Sequence, residues 1–228
     1  MKTGMAPTLA SWLIAATAPA YPGTLELSGI DGRYAVPVTS LKEARFRTAL
    51  RQQHDFSCGS AAVATLLTHH YAYPVSEQAV FEEMFARGDR QKIRKDGFSL
   101  LDIKLFLDAH GFKSDGFELP LDKLIEAGLP AIVLISEKGY RHFVVIKGIR
   151  DGRILIGDPA SGTRAMTRSS FESIWVNQLL FVIHNKPGLA KFNDAADWRV
   201  APRAPLSTGV THDGLGHVTL PKLGPGDF

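Results

Sequence analysis

The chain has 228 residues, 45% of them hydrophobic and only one of them cysteine, so it can bury a sizeable core but cannot close an internal disulfide. A formal net charge of +3 gives no electrostatic footprint for nucleic acid. One main domain is the starting expectation.

In chain order, "MKTGMAPTLASWLIAATAPAY" has Lys2 near its start, an apolar stretch around Leu9 to Ala16 and small residues from Ala16 to Ala20. This is the pattern of a secretory signal peptide over 1–20, too short for a stable membrane span. Export to the periplasm or beyond follows as the expected localisation. Residues 21–48 read as a lead-in of loose strands, Thr24 to Leu27 and Tyr34 to Val38, separated by glycine turns. From Cys58 to Tyr71 the small and apolar residues fit a helix whose first turn holds the cysteine, with Ser57 as N-cap. A second helix is expected from Ser76 to Arg87, ending at Gly88. Ser99 and Asp102 form a capping-box pattern that starts a third, which ends at Gly111. Pro120 and Gly128 bracket a short fourth over Leu121 to Ala127.

The period then changes. Ala131 to Ile135, "HFVVIKGI" (142–149), "RILIGD" (153–158) and "QLLFVIH" (178–184) are strand-like. Helices followed by strands predict an α+β fold, N-terminal helices packed on a mostly antiparallel sheet. The core domain is placed at 49–184, and the Pro/Gly-rich residues 185–228 are expected to form an extended tail.

A thiol in the first turn of a helix feels the positive end of the helix dipole, which lowers its pKa. By position alone, Cys58 is more often a small buried hydrophobe. Nucleophilic catalysis further requires a base and a group that orients it. His142 opens a strand and Asp158 closes the next, so they can meet only in one register. A two-residue turn at Asp151-Gly152 sets Asp158 opposite Val145, on the other face from His142. A three-residue loop Arg150-Asp151-Gly152 pairs Asp158 with Val144 and puts it on the His142 face. A Cys-His-Asp site therefore predicts the longer loop. Gln52, six residues before Cys58, can fold back as an oxyanion donor beside the Cys58 N–H, although Gln53 serves as well by position.

"QQHDFSCGSAAVATLL", "HFVVIKGI" and "GDPASG" resemble the motif blocks of family thirty-nine of the cysteine peptidases, papain-like enzymes that remove double-glycine leaders from bacteriocins. The resemblance covers roughly Ala49 to Ile183. It implies Cys58 as nucleophile, His142 as general base and acid, Asp158 as its orienter and Gln52 as oxyanion donor, with a polypeptide substrate and no cofactor or metal. Ser57 stands where the family often has aspartate. Lacking transmembrane spans and a phosphate-binding loop, the chain is similar to free-standing exported members, some of which accompany secretion systems for extracellular functional amyloid. A secretion-system or outer-membrane partner is implied with them. The alternative is a non-catalytic docking module that escorts an exported polypeptide through the same cleft.

Other features carry less. Adjacent His69 and His70 point to different helix faces and cannot share a metal. Glu82 and Glu83 decorate a helix exterior, Lys138, Tyr140 and Arg141 are candidates to line a cleft, Trp175 belongs to the core, and His212, Asp213 and His217 show no metal spacing.

Overall fold

A computed structural model describes residues 23–29 and 32–202. The signal-like segment 1–20 and the His212, Asp213 and His217 positions lie outside the described residues. The chain divides into two units at Ser40. In the first, strands β1 (Thr24–Gly29) and β2 (Gly32–Pro37) pair antiparallel from Thr24↔Pro37 to Gly29↔Gly32.

The second unit starts with the short helix α1 (Leu41–Arg45) and then α2 (Cys58–Thr65), which continues as a π-helical turn over Leu66–His70. Every residue of α2 is buried. Its run of Gly, Ser and Ala is what lets other elements close on it from all sides. Closest is Phe98, whose Cβ would lie 2.9 Å from a Cβ added at Gly59. The glycine after the cysteine is therefore a packing requirement. Helices α3 (Glu77–Arg87), α4 (Arg90–Asp96) and α5 (Leu100–Ala109) follow. α5 carries the expected capping box, with Ser99 and Asp102 bonded reciprocally. Ser57, by contrast, does not cap α2; its hydroxyl is turned back to the His54 backbone.

Strand β3 (Ser114–Glu118) and helix α6 (Asp122–Ala127) lead into β4 (Ala131–Glu137), β5 (Tyr140–Arg150), β6 (Arg153–Asp158) and β7 (Gly162–Thr167). Helix α7 (Arg168–Ile174) and strand β8 (Leu179–Ile183) complete a six-stranded antiparallel sheet in the order β3-β8-β4-β5-β6-β7. One sheet face, through Phe143, Val145, Phe181 and Ile183, packs on Val63, Leu67, Met84 and Phe106 of the large helices. The other, through Val144, Ile146, Ile154 and Ile156, is covered by Leu124 of α6, Phe171 of α7 and Trp175. Helices thus cover both faces, and β5 and β6 are buried on both sides.

Residues 185–202 depart from the extended tail expected of them. They form a single 3₁₀ turn (Pro187–Leu189) and helix α8 (Ala195–Trp198), in which Asp197 and Trp198 are buried. Asp197 Oδ1 accepts a 2.7 Å bond from Lys147 Nζ, on β5. Composition suggested solvation, whereas the ion pair and the indole bind this segment to the sheet.

Candidate active site

Cys58 begins α2, and the backbone amide of Phe143, the residue after His142, lies near enough to the thiol to lower its pKa. Its pKa runs against the helix-dipole expectation. Burial pushes the thiol up, the amides of Phe143, Gly59 and Cys58 oppose that only in part, and the Asp158 charge adds to the rise. The resting group is a neutral thiol. Any thiolate has to be made by handing its proton to a neighbouring base.

His142, buried on β5, points Nε2 at Asp158 Oδ2 across 3.3 Å. The contact is an ion-pair distance without hydrogen-bond alignment, and Nδ1 has no hydrogen-bond partner among the described residues. Looseness of this kind is common before substrate tightens a site. Asp158 is fixed from its other side: Oδ1 accepts from the amides of Ala160 (2.8 Å) and Ser161 (3.3 Å), and Oδ2 from Arg164 Nη2 (3.3 Å). Burial alone would raise the Asp158 carboxyl, but His142 and the Ala160 amide outweigh it and hold the group well below the usual carboxylate range. Asp158 is an anion at any working pH.

That depression has a sign in stability. The unfolded carboxyl titrates near 3.9 and the folded one lower, so the stabilisation is complete above about pH 4 and drains away as pH falls toward the folded value. Asp158→Asn is expected to flatten the acid limb of the stability curve between roughly pH 5 and pH 2. Thermal melts of both proteins across that range check it, and superimposable acid limbs would contradict the assignment.

Gln52 and Gln53 separate clearly. Gln53 is exposed, whereas Gln52 is half-buried, its amide N–H donates to the Pro159 carbonyl (3.2 Å), and its side chain approaches Tyr140 and donates to the His54 carbonyl (3.1 Å). The segment before Cys58 is thereby tied to the Asp158-Pro159 corner. Beside these residues opens a cavity of about 470 Å³ lined by Glu137, Lys138, Tyr140, His142, Asp158 and Arg164, among others. Lys138 and Tyr140 take the cleft-lining place considered for them; Arg141 is exposed and does not line the cavity.

A Cys-Gly at the head of a buried helix, together with a buried strand-borne histidine beside an aspartate, invites comparison with known proteins. The family model for the Peptidase C39 family matches residues 47–187. The chain belongs to the Peptidase C39 family. It is a cysteine peptidase. A protein of Pseudomonas fluorescens named "Probable functional amyloid protease FapD" is 32% identical over 197 residues, covering 86% of this chain and 84% of the relative. The protein of the same name in Pseudomonas aeruginosa is 36% identical over 165 residues, covering 72% of this chain and 70% of the relative. The crystal structure of the peptidase domain of Streptococcus ComA, a bifunctional ABC transporter, shares the fold at a TM-score of 0.50 and 22% identity, over 60% of this chain and 97% of that one. Among the described residues no helix is long and apolar enough to cross a membrane.

Two further residues of this C39 peptidase adjoin the candidate set. The Tyr140 ring stacks on His142 with centroids 5.1 Å apart and planes 26° off parallel, and its hydroxyl donates to the Asp55 carbonyl (2.9 Å). The signal was available, because positions two apart on a strand share a face. Arg164 bridges Asp158 and Glu137 (2.7 Å) from β7, a strand that the sequence pattern does not mark. His70 is buried, with Nδ1 2.6 Å from the Lys191 carbonyl, and burial holds its imidazole down to about 4. Glu83 pairs with Arg87 (2.9 Å) and His110 (3.0 Å).

Proposed function

We propose that this peptidase is an endopeptidase acting on an exported polypeptide, with Cys58 as nucleophile, His142 as base and then acid, and Asp158 as the group that orients His142. The supporting observation is that Cys58, His142 and Asp158 are all buried, with His142 Nε2 3.3 Å from Asp158 and the amide of Phe143, next to His142, near the Cys58 thiol. In the first step the thiol proton moves to His142 as sulfur attacks the scissile carbonyl. The oxyanion is held by the Cys58 N–H and the Gln52 side-chain amide, which turns from its bond to His54. His142 gives its proton to the leaving amine, and a water deprotonated by His142 then cleaves the thioester.

The substrate reading is supported by the two Pseudomonas relatives, whose names refer to functional amyloid. A polypeptide exported by such a system, handled beside a secretion-system or outer-membrane partner, fits those names. The signal-peptide pattern of residues 1–20 supports a reading in which the work is done in the periplasm or outside the cell. A peptide pool including segments with consecutive glycines, incubated with purified protein and read by mass spectrometry, tests the reading when paired with stepwise iodoacetamide labelling. Cleavage should fall in proportion to the label on Cys58. A fully labelled protein that still cuts, or a pool left uncut, overturns it.

A further inference from the structure

The turn between β5 and β6 would by itself leave Asp158 on the wrong face of the sheet. Asp151 and Gly152 form a two-residue turn, both with positive φ (56° and 69°), rather than the three-residue loop expected from the chemistry. From this turn Arg150↔Arg153, Ile149↔Ile154 and Gly148↔Leu155 pair in a single register. Continued unchanged, it sets Asp158 opposite Val145 and turned away from His142. The register changes between Gly148 and Ile146, where Lys147 is the extra residue of a β-bulge. Beyond it Ile146↔Ile156 and Val145↔Gly157 are paired, and Asp158 reaches His142. The expected alignment is present, but a bulge creates it.

That bulge is held from outside the hairpin. The Lys147 side chain is fully buried, and Nζ donates to Asp197 Oδ1 (2.7 Å), the Thr48 carbonyl (2.7 Å) and Thr48 Oγ1 (2.6 Å). The Lys147 carbonyl accepts from the Asn193 amide (3.0 Å). A Cβ at Gly148 would collide with Asn193 Oδ1 and press on the Asn193 backbone, so glycine at 148 favours the close seating of the segment carrying Asn193 and Asp197 against the bulge. Losing the bulge would turn the Lys147 side chain onto the face of Ile149, Ile154 and Ile156, an apolar layer that offers no acceptor. A buried ion pair is a weak source of net stability and a good selector of register.

We propose that Lys147 and Asp197 are positioning residues whose ion pair fixes the bulge at residue 147 and thereby brings Asp158 to His142. This rests on the reading of His142 and Asp158 as base and orienter. Asp197 thus serves the site from a segment that follows the last strand.

The test uses the whole chain with Lys147→Met and Asp197→Leu combined, which removes the pair without stranding a buried charge. Gly148→Ala is the second variant, since it keeps both charges but presses a methyl group on Asn193. Folding is followed by circular dichroism, register by the cross-strand NOE between Val145 and Gly157, and site assembly by the pH profile of Cys58 alkylation with iodoacetamide. The double variant should fold, lose that NOE and alkylate at neutral pH about 10²-fold more slowly, the effect also expected of Asp158→Asn; Gly148→Ala should shift both readouts in the same direction by less. A folded double variant with the native NOE and alkylation profile overturns the proposal. So does an unfolded double variant beside a Gly148→Ala protein that matches wild type, because the pair then holds the fold and not the site. His142→Ala is run in parallel: if it alkylates as fast as wild type, the catalytic reading has failed, while the NOE still judges the positioning role.

Discussion

Alanine at Cys58 is expected to abolish peptide-bond cleavage, and alanine at His142 to lower kcat by about 10⁴-fold with KM little changed. The second effect is as informative as the first because of the resting state of the thiol. Were Cys58 a preformed thiolate, losing the base would leave its attack largely intact. Burial and the nearby Asp158 charge instead raise its pKa, so on the proposed reading the base is needed both to create the nucleophile and to protonate the leaving amine. Among the other histidines near the site, His54 is exposed and its ring is engaged with Phe56 and Phe81 at 5.5 and 5.1 Å, leaving His142 without a substitute. Steady-state rates on a cleaved peptide, taken across pH, check both variants. A His142→Ala protein within tenfold of wild type would remove His142 from the chemistry.

Removing the Asp197 carboxylate is expected to cost about 3–5 kcal/mol of folding stability at neutral pH. The Lys147 side chain has no exposure and that of Asp197 has 7%, so Asp197→Ala leaves an ammonium in the interior with the Thr48 and Thr163 oxygens as hydrogen-bond acceptors and the Asp194 charge as a weaker stabiliser. Burial already depresses the Lys147 pKa even with Asp197 present. Without the partner the folded value falls further below the unfolded value of about 10.4, the unfolded chain binds more protons, and the variant regains stability as pH rises through that interval. Urea unfolding at neutral and alkaline pH measures both effects. A loss that is small, or that does not shrink with pH, would mean that the interior solvates Lys147 without Asp197. The Arg168–Asp122 pair, at 2.7 Å but with side chains 35% and 56% exposed, is the control whose removal should change little.

Much of the fold was legible because its signals are local. The Ser99/Asp102 capping box, the stops at Gly88 and Gly128 and the aliphatic strands β4, β5 and β6 each depend on a few neighbouring residues. The elements without a local sequence signal are short or lie at the sheet edges. β3 ("SDGFE") and β7 ("GTRAMT") are the two edge strands and need no continuous apolar face, so periodicity says little about them. α4 carried a usable signal in Asp89, whose carboxylate caps the amides of Gln91 and Lys92, and in Gly97 at its end.

The site divides along the same line. Residue identity and spacing propose Cys58, His142 and Asp158 as a set, and either Gln52 or Gln53 beside them, because nucleophilic chemistry asks for those side-chain types wherever the fold puts them. Three matters were decided only by the folded chain. The Cys58 thiol is held up and not down, since burial is a property of what packs around α2. Gln52 is separated from Gln53 by its bond to Pro159, more than a hundred positions away. Asp158 meets His142 through a bulge at Lys147 whose anchor, Asp197, lies fifty positions further along. Local sequence can specify a turn, but where a strand slips by one residue is set by long-range contacts that pin the extra residue, and those exist only once the chain has closed on itself.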